Sequence, residues 1–190
     1  MAQGVSVNLQ TILQAATEIV DSQGLKSLSL TSVAHMLSIR PPSLYNHIHG
    51  LSGLRTEIAI HGCDLLNSVI MRAALGKSGD HAVYAMAEAF LNFARIHPGL
   101  YDAVQEIHEY QDPRLQQAAE RIVDTVVQVM RHYGLDEENS IHAVRGFRSL
   151  VHGFASLERS GGFRMPVDVD RSFHFLLDAF LTGLHTIYSV

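Results

Sequence analysis

Four polar side chains in one short run could do recognition chemistry. They are Ser43, Tyr45, Asn46 and His47, set in the stretch Pro41-Pro42-Ser43-Leu44-Tyr45-Asn46-His47-Ile48. Asn pairs bidentately with an adenine edge, and Ser bonds to a base or a phosphate. Tyr and His donate to phosphate oxygens. Leu44 and Ile48 are four apart, so on a helix they share an inward face while the polar four turn outward. Such a surface suits the major groove. Any corner between two helices has similar spacing, so the residues taken alone leave a purely structural corner open.

Other chemistry finds no support. The twelve histidines contain neither H-x-x-x-H nor H-E-x-x-H, the spacings that place two zinc ligands on one helical face. His47 and His49 straddle a helix end, and His108-Glu109 is an isolated pair, so the histidines read as surface or hydrogen-bonded groups. There is no Gly-x-Ser-x-Gly, no P-loop and no dinucleotide glycine pattern. No metal, cofactor or enzymatic activity is called for. The single cysteine, Cys63, excludes an internal disulfide and a cysteine-built metal site.

The polar four need a scaffold, and the residues before them supply one. Val33, Ala34 and Leu37 share one face of a short helix, which Ser29 or Thr31 can cap. A residue preceding proline is pushed out of helical geometry, so Arg40 and Pro41 should be extended. Pro42 suits a first helical position. The spacing therefore predicts two short helices joined by a tight turn, a helix-turn-helix, with the second helix starting near Pro42. Thr31, Arg40, Pro41 and Pro42 stand at the edge of the recognition set. Upstream, Asn8 can cap a bracing helix whose Leu9, Ile12, Leu13, Ala16, Ile19 and Val20 follow a helical period to Gly24.

The run Gly24-Leu25, Leu28-Ser29, Val33-Ala34, Leu37, Ile39, Pro42-Ser43-Leu44-Tyr45, His47-Ile48 and Leu54 resembles the N-terminal domain of tetracycline-repressor-type (TetR) regulators over residues 8 to 60. The segment Arg148-Ser149-Leu150-Val151-His152-Gly153-Phe154, with Leu157-Glu158 and Gly161-Gly162-Phe163, resembles the C-terminal WHG domain of one TetR subgroup, without its usual Trp. The resemblance implies a one-component repressor: a helical DNA-binding domain, a larger helical effector-binding domain, and a homodimer on an inverted-repeat operator. It also implies a phosphate-binding lysine near the start of the fourth helix, where this chain has Leu51.

Composition sets the remaining bounds. The chain of 190 residues is 47% hydrophobic and 17% charged, enough for a core and lean enough in charge to suggest a hidden interface. No leader and no apolar run of membrane-spanning length is visible, so a cytoplasmic protein is expected. Net charge is −5 with His neutral. Up to Glu57, Lys26, Arg40 and Arg55 are balanced by Glu18, Asp21 and Glu57, so the recognition part is neutral. Few phosphates would be neutralised per subunit, and the salt dependence of DNA binding should be shallow.

The rest of the chain reads as helices with little strand alternation. A fourth helix opens at Gly50 or Ser52 and runs to about Ala74. The linker Gly76–Gly79 follows, then a helix capped by Asp80 that runs to His97 and is broken by Pro98-Gly99. A short helix from Leu100 to about Tyr110 precedes a long one from Pro113 to Tyr133. Two more, about Glu137–Arg159 and Asp170–Tyr188, carry broad apolar faces. Those faces fit either core helices or, as the family resemblance implies, pairing with a second copy in a four-helix bundle. The fold expected is all-α: residues 1–50 form a three-helix helix-turn-helix domain, and residues 51–190 a helical effector-binding and dimerisation domain. Met86, Phe90, Phe93, Tyr101, Val104, His108, Phe147 and His152 could line a pocket for a small lipophilic effector, or be plain core. Two functions follow: a ligand-responsive DNA-binding regulator, or a small-molecule sensor with a degenerate DNA-binding head. Double-stranded operator DNA is the partner of the first.

Overall fold

A computed structural model of the chain describes residues 7–106 and 111–188. Helix α1 is Leu9–Gln23, α2 is Leu30–Met36, α3 is Gly50–Ala74 and α4 is Gly79–Ile96. Then come α5 at Pro98–Gln105, α6 at Pro113–Met130, α7 at Glu137–Arg159 and α8 at Val169–Tyr188. Short 3-10 helices occupy Leu25–Ser27, Pro41–Asn46 and Arg131–Tyr133. No strand occurs among the described residues, so the all-α class holds.

Local sequence explains most boundaries. Asn8 and Ser29 close capping boxes with Thr11 and Ser32, satisfying the first free N–H groups of α1 and α2. Asp136 accepts from the Asn139 N–H at 2.8 Å and starts α7. Two expectations need correction. Asp80 does not cap α4: the helix opens at Gly79, and the Ala82 N–H bonds the Ser78 carbonyl. Pro98 does more than break a helix, because it is the first residue of α5, where its missing N–H costs nothing.

The chain packs as two units. The first comprises Met1–Leu65 with Ile96–Ala119, and the second Leu66–Arg95 with Glu120–Val190. In the first, Ile12, Ala16, Ile19 and Val20 of α1 are buried with Val33, Leu44, Ile48, Leu54 and Ile58. Burial of each of these Ile, Val and Leu side chains contributes roughly 1.5–3 kcal/mol. α5 docks against α1 in this unit. Asp21 accepts from the N–H groups of Gly99 and Leu100 at 2.9 and 3.1 Å and pairs with His97 Nδ1 at 2.7 Å. A side chain on Gly99 would lie 2.2 Å from the Val20 carbonyl carbon and oxygen, so only glycine permits this approach.

In the second unit, Phe154 of α7 meets Phe163 and Phe173, with ring centroids 4.7 and 4.8 Å apart. Arg95 bridges Glu158 and Asp170 at 2.6 Å each. Buried Tyr133 donates to Asp80 at 2.6 Å, and His185 closes on the same carboxylate at 3.0 Å. Burial tends to raise the Asp80 carboxyl, but hydrogen bonds from Tyr133 and His185, with the charges of His185 and His132, bring it below its ordinary range. Ile141 and Leu157 on α7, and Phe175, Leu176 and Ile187 on α8, are exposed although large and apolar. No helix among the described residues is long and apolar enough to cross a membrane.

Candidate nucleic-acid interface

The candidate interface lies on α2 and the 3-10 helix Pro41–Asn46, both in the first unit. α2 buries Val33 and Ala34 and exposes Thr31. Its end is a Schellman turn: the Ile39 N–H bonds the Ala34 carbonyl at 2.9 Å and the Ser38 N–H bonds the His35 carbonyl at 3.0 Å. This turn holds Ser38 at φ 55, a left-handed conformation that costs a non-glycine residue roughly 1–2 kcal/mol. Arg40 follows in extended geometry, as a residue before proline should.

The second element differs from expectation in kind. It begins at Pro41 and is a 3-10 helix rather than an α-helix starting near Pro42. Pro41 and Pro42 have no N–H to donate. The Ser43 N–H bonds the Arg40 carbonyl at 3.0 Å, an i to i+3 span that marks the tighter winding. The predicted facing nevertheless holds. Leu44 is fully buried and Ile48 2% exposed, while Ser43, Asn46 and His47 are exposed and Tyr45 is 59% exposed. Pro42 and Arg40 are exposed as well, and Pro41 is half-buried. All eight residues expected at the interface therefore fall on one continuous segment or the helix before it, with the apolar anchors behind them.

The electrostatics are spare. Lys26 and Arg40 are exposed, whereas Arg55 is half-buried and its Nε finds no acceptor among the described residues. A hollow of about 390 Å³ adjoins the recognition segment, lined by His47, Ile48 and His49, by Ser52, Gly53, Thr56 and Glu57 of α3, and by Gln111, Asp112 and Arg114. Arg114 bridges Glu57 and Asp112 at 2.8 Å each. The hydrogen bond from its guanidinium is the main reason the Asp112 carboxyl lies below its usual range. Sequence reading missed this bridge, because nothing local links residues 57 and 114. It also passed over His35, although its four-residue spacing from Thr31 places both on one face of α2; both are exposed.

The residues named for an effector pocket fall in both units, and one of them lies outside the described residues. Met86, Phe90 and Phe93 on α4 and Phe147 on α7 are buried in the second unit, with His152 half-buried there. Burial, and then the charge of Arg148, lowers the affinity of His152 for its proton. Tyr101 and Val104 on α5 are buried in the first unit, and His108 lies outside the described residues. Among the described residues no group of three or more potential ligands could hold a metal ion.

Comparison with known proteins places these features in a family. Residues 83–180 match the model of the tetracyclin repressor-like C-terminal domain. The chain is 35% identical, over 186 residues, to an uncharacterised helix-turn-helix-type transcriptional regulator of Bacillus subtilis, covering 97% of this chain and 96% of that one. It is 29% identical to a helix-turn-helix-type transcriptional repressor of Streptomyces coeruleorubidus, over 79% of this chain and 53% of the other. In fold it is similar to a TetR transcriptional regulator of Streptomyces coelicolor, with a TM-score of 0.77 at 18% identity, covering 94% and 98% of the two chains.

Proposed function

The chain belongs to the TetR family of helix-turn-helix transcriptional regulators, and from that premise we propose that it is a repressor. In this reading it binds an inverted-repeat operator as a homodimer and leaves it when a small lipophilic effector binds. The observation that carries the reading is the recognition segment: Ser43, Tyr45, Asn46 and His47 face solvent together while Leu44 and Ile48 fix the segment from behind. Asn46 and Ser43 read bases. Tyr45 and His47 hold phosphates, with Thr31, Arg40, Pro41 and Pro42 at the margin. Two such segments about one DNA turn apart would read the two half-sites.

The exposed apolar residues of α7 and α8 support pairing with a second copy, since Phe175 and Ile187 are 75% and 70% exposed. In this reading the effector occupies a site lined by Met86, Phe90, Phe93, Phe147 and His152 of the second unit. Apolar walls with one imidazole suit a weakly polar ligand. That ligand must bind the form that cannot hold DNA more tightly than the form that can, or it shifts nothing. The curated repressor among the relatives favours repression over activation.

Footprinting on the DNA upstream of the protein's own gene tests the reading. A protected inverted repeat is expected, and its absence with folded protein at low salt refutes it. Tyr45→Phe should weaken operator and random DNA alike. Asn46→Ala should relax preference at one position by about 1–3 kcal/mol. A second reading, a small-molecule sensor with a weak DNA-binding head, is favoured by the neutral charge balance up to Glu57 and by Leu51 at the phosphate-contact position. DNA binding titrated against salt separates the two.

A further inference from the structure

The DNA-binding head is short of fixed cations. Lys26, Arg40 and Arg55 are its only Lys or Arg residues up to Glu57, and Arg55 is half-buried. Arg114, near the recognition segment, is committed to Glu57 and Asp112. What the head does expose is imidazole. His35 lies on the Thr31 face of α2, the helix that crosses the DNA backbone in a helix-turn-helix. His47 closes the recognition segment, and His49 stands just ahead of α3; both are exposed and border the same hollow.

We propose that His35 and His49 join His47 as the phosphate-contacting set of the head and do so as imidazolium ions, so that DNA binding takes up protons. This rests on the DNA-binding reading above and specifies its phosphate contacts. A neutral imidazole has one donor, whereas the protonated ring has two and a full charge. A phosphate beside it favours the charged form. Imidazole is the side chain whose charge is most readily changed between about pH 5 and about pH 8, so a proton taken up with the phosphate would show as pH-dependent binding in that range.

The surrounding charges do not forestall this. In the hollow, Glu57 and Asp112 face His47 and His49, but Arg114 bridges both carboxylates. α1, which packs on α2, carries Glu18 and Asp21, and Asp21 is spent on the start of α5 and on His97. The 3-10 helix packed on α2 is preceded by Arg40, and the one packed on α1 carries Lys26. Of these carboxylates, Glu57, Asp112 and Asp21 have the partners named, and Glu18 is exposed on α1.

The test measures fluorescence anisotropy of a labelled random-sequence duplex with the full-length protein at fixed ionic strength. Phosphate contacts carry no sequence information, so this probe suffices. Affinity should rise on the order of tenfold or more from about pH 8 to about pH 6. The salt slope should steepen over the same interval by about 0.9 for each phosphate newly neutralised. The double variant His35→Gln/His49→Gln should lose most of the pH dependence, and His35→Arg/His49→Arg should bind tightly at both pH values. If the protein binds equally well at both, or the Gln variant keeps the full slope, the imidazolium contacts are overturned while the regulator reading stands. Absence of binding at either pH, to this duplex and to the upstream fragment alike, overturns both.

Discussion

Gly99→Ala probes the tightest joint in the first unit. The added methyl would fall 2.2 Å from the Val20 carbonyl carbon and oxygen and 2.7 Å from the Asp21 nitrogen. All three atoms are backbone, so no rotamer change relieves the overlap. Nonbonded carbon atoms settle near 3.5 Å, so α5 must withdraw by about 1 Å. That distance takes the Asp21 bonds to Gly99 N–H, Leu100 N–H and His97, now 2.9, 3.1 and 2.7 Å, out of hydrogen-bond range. Hydrogen bonds to a charged group contribute about 1.5–3 kcal/mol each, and the Asp21 side chain is only 17% exposed. Allowing for relaxation and for water reaching the carboxylate, a loss of about 3–5 kcal/mol is expected, well beyond an ordinary substitution. Urea unfolding of the full-length protein measures it. Gly153→Ala serves as the control, because its methyl meets nothing within 4 Å and it lies inside a helix. In the double variant Gly99→Ala/Asp21→Asn the two losses should be less than additive, since both remove the same bonds. A loss below about 1 kcal/mol for Gly99→Ala would refute the argument.

Ser38→Gly should stabilise the protein by about 0.5–1 kcal/mol, because glycine relieves the left-handed strain at φ 55 and loses part of that gain to its freer unfolded chain. Urea midpoints check this, and a lower midpoint would count against the Schellman turn. The Asp80 carboxyl is held below its ordinary range in the folded state, so its stabilising effect is full above the unfolded carboxylate range and is lost as pH falls through the folded value. Asp80→Asn should therefore lower the Tm at neutral pH and lose less on further acidification between about pH 5 and about pH 3. Parallel Tm profiles for the two proteins would exclude that role.

The legible parts of this molecule are those governed by neighbours along the chain. Asn8, Ser29 and Asp136 act as caps because each oxygen reaches an N–H three residues on. The inward facing of Leu44 and Ile48 and the outward facing of Tyr45 and Asn46 follow from spacing alone. The recognition element is 3-10 rather than α, and its two prolines do not account for this, because they stand at first-turn positions whose N–H groups are unpaired in an α-helix too. The winding shows only in which carbonyl the Ser43 N–H reaches. Pro98-Gly99 looked like punctuation because its reason is 78 residues away in Asp21.

The sequence by itself determined an all-helical chain with a helix-turn-helix near its start and a polar recognition run fixed from behind. Hydrogen-bond register and apolar periodicity act over a few residues, so these features are written locally. Only the tertiary structure decided the Asp21 clasp on α5, the Arg114 bridge to Glu57, and the Tyr133–Asp80–His185 cluster. Each joins groups dozens of positions apart. What brings them together is the burial of apolar faces, which fixes helix positions first and leaves polar side chains to pair with whatever then stands within reach.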